Sequence, residues 1–239
     1  MISGRSNMPS NDEGTSSNDE KDPQLKKFLF KCDQTNQQLE ILIPELLQSG
    51  YSFYTWPCAP ILAWFLWERR HSLEDKSILE MGAGTGLPGI LAAKCRARVI
   101  LSDHCILPKS LTHLRNCCLA NNLVPGSDIK VIGLSWGLLL SSLYKLPPID
   151  LIISADCFYD PRVFEDILVT VSFLLEKNPS AKFIFTYQER SSDWCFEVLL
   201  KKWDLKAARI NIDDIGEYSG VNLIEIMGKH TIHLIEIYR

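Results

Sequence analysis

Apolar positions along the chain follow two alternating spacings. Compact apolar runs typical of buried strands occur at 77–81, 98–102, 129–134, 151–155 and 183–187. Between these runs apolar residues recur at helical spacing, and the predicted helices span 87–95, 108–121, 161–177 and 192–202. Strands that alternate with helices build a mostly parallel sheet with helices on both faces. The pattern therefore predicts a doubly wound α/β fold.

Two regions depart from this alternation. Near the N-terminus, the stretches 28–31 and 38–43 flank a polar turn and predict a hairpin that lies against the core. Towards the other end, 205–212 and 231–238 predict two strands. The long connection 213–229 between these strands shows no clear pattern.

Two helices carry further local predictions. One is expected to begin at Trp56-Pro57, because proline pre-sets φ at the first helical position. It should end near Arg69 and Arg70, since cations suit the C-terminal end of the helix dipole. In the helix 108–121, three leucines are expected to share the buried side: Leu111, Leu114 and Leu119.

Residues 1–24 are rich in Ser, Asn, Asp and Glu and almost free of large apolar side chains. Such a segment cannot bury enough apolar surface to offset its chain entropy, so we predict a disordered tail over 1–24 and one domain over 25–239. The tail holds five carboxylates against Arg5 and Lys21, which leaves the domain nearly neutral although the whole chain carries -4. A nearly neutral domain argues against a large phosphate-binding face, so we expect no direct nucleic-acid binding.

The sequence also disfavours membrane and metal chemistry. No apolar run reaches the roughly 18 residues that span a bilayer, and the polar N-terminus has no apolar signal core. The eight cysteines form no C-x-x-C pair, and most lie inside apolar segments. We therefore expect reduced, buried thiols in an intracellular protein, with no metal site and no membrane contact.

A glycine-rich segment follows the strand 77–81 and opens a helix; it runs Glu80-Met81-Gly82-Ala83-Gly84-Thr85-Gly86-Leu87-Pro88-Gly89. Glycines there allow positive φ and let a ligand approach the backbone at the carboxyl edge of the sheet. Gly84-x-Gly86-x-x-Gly89 matches a dinucleotide fingerprint, which is weak alone. Glu80-x-Gly82-x-Gly84-x-Gly86 matches the first motif of methyltransferases. Glu80 favours the second class, because a carboxylate can hold the ammonium of a methionine group but repels a pyrophosphate.

Three further strand ends carry candidate ligand contacts. Asp103 can accept both hydroxyls of a ribose, and Trp136, in Ser135-Trp136-Gly137, can stack on adenine. Asp156, in Asp156-Cys157-Phe158-Tyr159, lies where a transferable methyl group is expected. Each has a structural alternative: Asp103 as a turn cap, Trp136 as an ordinary core residue, and Asp156 as a helix cap. Asp160 is better placed than Asp156 to cap the helix 161–177.

Together these residues resemble the methyltransferase-like family of seven-strand protein lysine methyltransferases. The resemblance rests on Trp56-Pro57-x-Ala59, the glycine loop, Ser135-Trp136-Gly137 and Ala155-Asp156-x-x-Tyr159, and it covers the chain from Phe28 onward. It implies a seven-strand Rossmann-like sheet with an antiparallel final hairpin, and S-adenosylmethionine as cofactor. With Glu80 and Gly86 from the motif, the implied cofactor contacts are Trp56, Gly82, Ala83, Gly84, Asp103, Trp136 and Ala155. Asp156 and Tyr159 are the implied catalytic pair at the substrate entrance.

The predicted reaction is a direct displacement in which a neutral lysine or arginine nitrogen attacks the sulfonium methyl group. Asp156 would hold the incoming cationic side chain, and Tyr159 and Phe158 would offer ring faces to it. The resemblance suggests a protein substrate such as a histone or a chaperone, and a monomer in the cytoplasm and nucleus.

Three alternatives stay open on the sequence. A small-molecule methyltransferase would have a closed pocket beside Tyr159 instead of an open groove. A non-catalytic S-adenosylmethionine-binding interaction module would not need the intact glycine loop. A dehydrogenase is disfavoured by Glu80 and by Ala155-Asp156-x-x-Tyr159.

Overall fold

The computed structural model describes residues 23–46, 50–191, 196–213, 215–216 and 219–239. The predicted disordered tail 1–24 lies outside these ranges except for its last two residues, and Gln24 already begins the first strand. Strands β1 (Gln24–Cys32) and β2 (Gln37–Glu45) pair antiparallel as the predicted N-terminal hairpin, and both are longer than their apolar cores suggested.

Within the described residues, seven strands form the central sheet in the order β5-β4-β3-β6-β7-β9-β8. Their bounds are β3 Ser77–Met81, β4 Arg98–Asp103, β5 Lys130–Gly133, β6 Leu151–Ala155, β7 Lys182–Gln188, β8 Lys206–Ile210 and β9 Ile232–Tyr238. Strands β3 to β7 are mutually parallel, whereas β9 pairs antiparallel with both β7 and β8. The doubly wound, seven-strand α/β prediction with an antiparallel final hairpin is therefore confirmed.

Helices cover both faces of this sheet. One face carries α1 (Cys58–Glu68), α2 (Leu87–Lys94) and α3 (Pro108–Ala120), and the other carries α4 (Ser141–Tyr144), α5 (Phe164–Lys177) and α6 (Glu197–Lys202). Along β3, Ile78 packs into the first layer, while Leu79 and Met81 pack into the second. Both faces of the strand are buried, which explains why its sequence is an apolar run without alternation.

Helix α1 ends at Glu68, close to Arg69 and Arg70, as predicted. Arg69 donates to the carbonyl of Phe65 at 3.3 Å and Arg70 to that of Trp67 at 3.1 Å, which satisfies carbonyls of the last turn.

Of the three leucines expected on the buried side of α3, Leu114 is buried but Leu119 is 52% exposed, so that prediction is wrong. The 3.6-residue period carries Leu119 past the core, and the same face is filled by His113, Cys117 and Cys118.

Two short α-helices among the described residues were not predicted from the apolar pattern. Helix α7 (Leu223–Met227) lies in the connection 213–229, and Asn222 caps it by accepting from the backbone N–H groups of Ile224 and Glu225. Helix α4 is the other. The predicted helix 192–202 is observed only from Glu197, since 192–195 lie outside the described residues. Over the described ranges no helix is long and apolar enough to cross a membrane, and the seven cysteines described there have free thiols.

Candidate active site

The glycine loop joins β3 to α2 through a left-handed backbone. Gly82, Gly84 and Gly86 have φ of 63°, 54° and 75°, a region that residues with a side chain rarely adopt. A Cβ atom on Gly82 would lie 2.9 Å from a ring carbon of Trp136, and one on Gly86 would lie 2.7 Å from Leu114 Cδ1. Glycine is therefore required here both by conformation and by space, and the loop presents bare backbone at the carboxyl edge of the sheet.

Gly89 has a different role. It lies inside α2, where a Cβ atom would collide with the side chains of Leu101 and Glu80. Its absence of a side chain lets α2 pack closely on the sheet, a requirement of any fold in which a helix follows such a loop. The dinucleotide-like spacing of Gly84, Gly86 and Gly89 thus reflects helix packing, so it does not identify the ligand.

Glu80 is placed differently from the sequence argument. Its carboxylate is buried under α2, where Oε2 accepts from the backbone N–H of Gly89 at 2.8 Å. Burial raises the pKa of Glu80 to about 8; the Gly89 N–H opposes the shift and the nearby charge of Asp103 adds to it. Direct contact with a ligand ammonium has no support from this geometry. The contact seen here joins the end of β3 to the first turn of α2, and a cofactor contact of Glu80 stays a prediction.

Asp103 ends β4 beside the glycine loop. Its Oδ2 accepts from the backbone N–H of Gly84 at 2.9 Å, and Oδ1 accepts from the N–H of His104 at 2.6 Å. Burial raises the pKa of Asp103, and these two hydrogen bonds oppose the shift. The residue is therefore a turn cap, as one alternative held, and each oxygen keeps acceptor capacity for a ribose hydroxyl.

Trp136 and Ala155 lie on the two sides of the loop. The half-buried Trp136 ring packs directly against Gly82, and Cys157 closes the same corner from the end of β6. Ala155 is the half-buried last residue of β6. Trp136 is thus both a packing residue and a flat ring at the edge where a ligand would meet the loop.

The segment before α1 folds over the glycine loop. Trp56 Nε1 donates to the carbonyl of Tyr51 at 3.0 Å, and the two rings stack with centroids 5.8 Å apart. The Ser52 carbonyl lies 3.7 Å from the position of a Cβ on Gly84. Thr55 Oγ1 contacts Thr85 Oγ1 at 3.1 Å, and buried Glu45 accepts from the Thr55 N–H. These last contacts were not predicted from the sequence, because single polar residues carry no periodic signal.

The predicted catalytic pair, Asp156 and Tyr159, consists of one buried and one exposed group. Tyr159 is 52% exposed, whereas Asp156 is buried and holds a left-handed φ of 63°, which Asp tolerates better than most residues. The Asp156 carboxylate is already bound by the guanidinium of Arg190, a residue the site analysis missed. The neighbouring Phe158 is fully buried against Phe164, Phe185 and Phe196, so the prediction that it offers a ring face to a substrate is wrong.

The cap of α5 agrees with the sequence prediction. Asp160, not Asp156, accepts from the backbone N–H of Arg162 at 3.0 Å, and a 3-10 turn Pro161–Val163 leads into the helix. Asp156 therefore does not cap α5, and it lies at the carboxyl edge of the sheet.

One edge of the sheet thus offers bare backbone, a carboxylate with spare acceptors and a flat ring, with a second buried carboxylate and an exposed tyrosine beside them. Such a set of contacts, on a sheet of this strand order, defines the class of S-adenosylmethionine-dependent methyltransferases. The family model described as lysine methyltransferase matches residues 35–202, and the chain belongs to this family.

Comparison with single proteins agrees with this assignment. The chain is 46% identical over 212 residues to histone-arginine methyltransferase METTL23 of Xenopus laevis, covering 88% of this chain and 89% of that protein. It is 46% identical over 185 residues to the protein of the same name from Homo sapiens, covering 77% and 96%. Among solved structures, the Thermus thermophilus 16S rRNA N2 G1207 methyltransferase shares the fold with a TM-score of 0.54 at 14% identity, covering 90% of this chain and 50% of that one.

Proposed function

We propose that this protein transfers the methyl group of S-adenosylmethionine to a side-chain nitrogen of a protein, with a histone arginine as the first target to test. The relatives named histone-arginine methyltransferases support this choice, because they align with this chain over most of both lengths. Lysine is the second target, since the family description names it. A chaperone is the alternative protein substrate.

The observation that carries the proposal is the exposed apolar surface around the site. Loops after three strands expose large side chains at the carboxyl edge of the sheet; these form the apolar rim, Ile106, Leu107, Leu138, Leu139, Leu140 and Tyr159. A small-molecule site buries most of its ligand in a concave pocket, whereas large exposed apolar side chains on several loops at one sheet edge favour contact with a macromolecule. The apolar rim therefore favours a protein substrate over the small-molecule alternative.

The residues present fit the cofactor. Gly82, Gly84 and Gly86 leave a stretch of bare backbone, the backbone cradle, in which a Cβ on Gly82 would meet the Trp136 ring, and Asp103 keeps acceptor capacity beside it. When bound, the cofactor would supply a sulfonium methyl carbon that a neutral side-chain nitrogen can attack, with S-adenosylhomocysteine as the leaving group. Gly82, Gly84, Asp103 and Trp136 would hold it, and the work left to the protein is to align the nitrogen, for which good positioning alone supplies several kcal/mol.

The proposal includes a monomer that acts in the cytoplasm and nucleus through the domain 25–239. The names of the two relatives, which specify a histone substrate, support the nuclear location. Light scattering of the purified chain tests the first part, and imaging of the tagged full chain in cells tests the second.

The test is methylation of core histones by the purified full chain with methyl-labelled S-adenosylmethionine, followed by mass spectrometry of the labelled peptides. We expect label on arginine, strong loss in Asp103→Asn, and no change in Glu176→Gln, an exposed carboxylate elsewhere. Label on lysine alone would transfer the assignment to the second target. Label on small amines, with none on histones, chaperones or other proteins, would overturn the proposal.

A further inference from the structure

The Asp156 carboxylate forms an ion pair with Arg190, the only cation that pairs with it among the described residues. Arg190 Nη1 donates to Oδ1 at 2.9 Å and Nη2 donates to Oδ2 at 2.6 Å, so the guanidinium grips both oxygens. The backbone N–H of Gln188 adds a third bond to Oδ1 at 3.1 Å. Side-chain exposure is 6% for Asp156 and 27% for Arg190. A forked, charge-assisted pair in so little water is geometrically specific.

This pair joins the elements that carry the predicted site. Asp156 follows β6, and its backbone N–H donates to the carbonyl of Thr186 in β7 at 2.7 Å. Thr186 Oγ1 in turn donates to the carbonyl of Cys58, the first residue of α1, at 2.9 Å. The ion pair also affects the pKa of the Cys58 thiol. Burial is the largest cause that raises this pKa, the charge of Asp156 raises it further, and the charge of Arg190 lowers it. Trp56 and Tyr159 therefore extend from two elements that meet at the Asp156–Arg190 pair.

The pairing changes what Asp156 can do for a substrate. A free carboxylate would attract the cationic form of lysine or arginine, but a carboxylate balanced by a guanidinium exerts little net attraction. Releasing it for a substrate would leave a buried charge without a partner, which is strongly unfavourable. A substrate cation is therefore not expected to bind Asp156 by displacing Arg190.

We propose that Arg190 is a positioning residue of the methyl-transfer site: it balances Asp156 and fixes the loop that carries Tyr159, so that Asp156 acts as half of an ion pair and not as a receptor for the substrate cation. The inference rests on the proposed function for its kinetic test. It concerns how that site is organised, and it replaces the cation-holding role that the sequence suggested for Asp156.

The experiment compares Arg190→Gln, Arg190→Lys, Asp156→Asn and the double variant Asp156→Asn/Arg190→Gln. The matched control is Arg162→Gln, because Arg162 also bonds both oxygens of a carboxylate, through Nε and Nη2 to Asp160, but is exposed. For each protein, kcat and peptide KM are measured in the methylation assay. Affinity for S-adenosylmethionine is measured by calorimetry, and thermal unfolding is followed in parallel.

We expect Arg190→Gln and Asp156→Asn each to lower kcat about 10- to 100-fold, because misplacement by about 1 Å has costs of this size. Peptide KM should change less than about 3-fold, and the double variant should be no slower than Arg190→Gln, because it removes the unpaired buried charge. Arg190→Lys should recover part of the rate, since it keeps the charge but loses the fork. Arg162→Gln should match wild type.

Two results would overturn the inference. If Arg190→Gln lowered peptide KM, a freed Asp156 would be capturing the substrate cation. If the effects of the two single variants on the unfolding temperature added in the double variant, the two residues would not act as a pair. The unfolding cycle needs no turnover, so it decides the pairing even if the wild type methylates no histone and the proposed function fails.

Discussion

Two buried carboxylates at the carboxyl edge of one sheet are held in different ways. Asp103 ends β4 and Asp156 follows β6, and these strands flank β3 on its two sides. Among the described residues, Asp103 accepts from two backbone N–H groups and from no cationic side chain, so no ion pair seen there balances its charge. Asp156 is bound by the guanidinium of Arg190. The predicted cofactor half of the site, which comprises the glycine loop, Asp103 and Trp136, thus keeps an acceptor for ligand hydroxyls. The predicted substrate half, which comprises Asp156, Tyr159 and Arg190, uses its carboxylate to fix a loop.

The largest effect should come from filling the backbone cradle of the cofactor half. Gly82→Val places a β-branched side chain at φ 63°, where its Cβ would lie 2.9 Å from the Trp136 ring. We expect calorimetry to show more than about 100-fold weaker binding of S-adenosylmethionine, with strain of about 1–3 kcal/mol in unfolding. Gly228→Ala separates strain from collision, because Gly228 has φ 59° and nothing within 4 Å of an added Cβ. Equal cofactor binding in wild type and Gly82→Val would refute the cradle.

The next effect concerns the stability of the cofactor half and its dependence on pH. The pKa of Glu80 is about 8 in the folded protein against an ordinary value of 4.5, so between these values the folded state binds more protons than the unfolded chain. Its stabilising contribution is complete below about pH 4.5 and is lost as the pH rises towards 8.

Glu80→Gln removes this titration but keeps an oxygen that accepts from the Gly89 N–H. Between pH 5 and pH 8, wild type should lose on the order of 3 kcal/mol more of its free energy of unfolding than the variant. Urea denaturation at several pH values measures the difference. Parallel pH profiles for the two proteins would show that Glu80 does not titrate in this range.

A smaller effect is expected at Asp103, the carboxylate that is predicted to bind the ribose. Asp103→Asn removes the charge and one acceptor while it leaves a similar shape, so S-adenosylmethionine should bind about 10- to 100-fold more weakly, the size of one or two lost charge-assisted hydrogen bonds. Asp128→Asn is the matched control, because Asp128 also accepts from a backbone N–H but is exposed. Unchanged cofactor affinity in Asp103→Asn would remove Asp103 from the cofactor half.

The smallest effect should lie in the substrate half. Tyr159→Ala removes an exposed ring from the entrance, and the loss of a cation–π contact at such a position corresponds to about a 3- to 5-fold rise in peptide KM. Cofactor affinity should stay at the wild-type value. Tyr144→Ala serves as control, because Tyr144 is equally exposed but lies on α4, outside the apolar rim. A loss of cofactor affinity in Tyr159→Ala would contradict the division into two halves.

The sequence was informative about the fold because parallel strands buried on both faces are continuous apolar runs, as β3 and β6 are. It misjudged elements where a single residue decides the outcome. Leu119 lies one position beyond the buried face of α3. Helix α7 had a cue in Asn222 and Glu225, three residues apart as in a capping box, but its five-residue length leaves no periodic pattern.

The candidate site was predictable in position but not in contacts. Parallel topology brings strand ends together, so Asp103, Trp136 and Asp156 could be assigned to one edge from the sequence. The direction of Glu80 also follows from strand alternation, since Glu80 must share the face of Ile78 beneath α2. The Asp156–Arg190 pair could not be predicted from spacing, because it depends on β7 lying next to β6, which places Arg190, two residues after the end of β7, beside Asp156.

The most direct test of the division is one calorimetric titration of S-adenosylmethionine into three proteins: wild type, Asp103→Asn and Arg190→Gln. If the site is divided in this way, Asp103→Asn should bind S-adenosylmethionine more weakly, and Arg190→Gln should bind it with wild-type affinity. If Arg190→Gln lost as much cofactor affinity as Asp103→Asn, the ion pair would belong to the cofactor half, and the assignment of Arg190 to substrate positioning would be wrong.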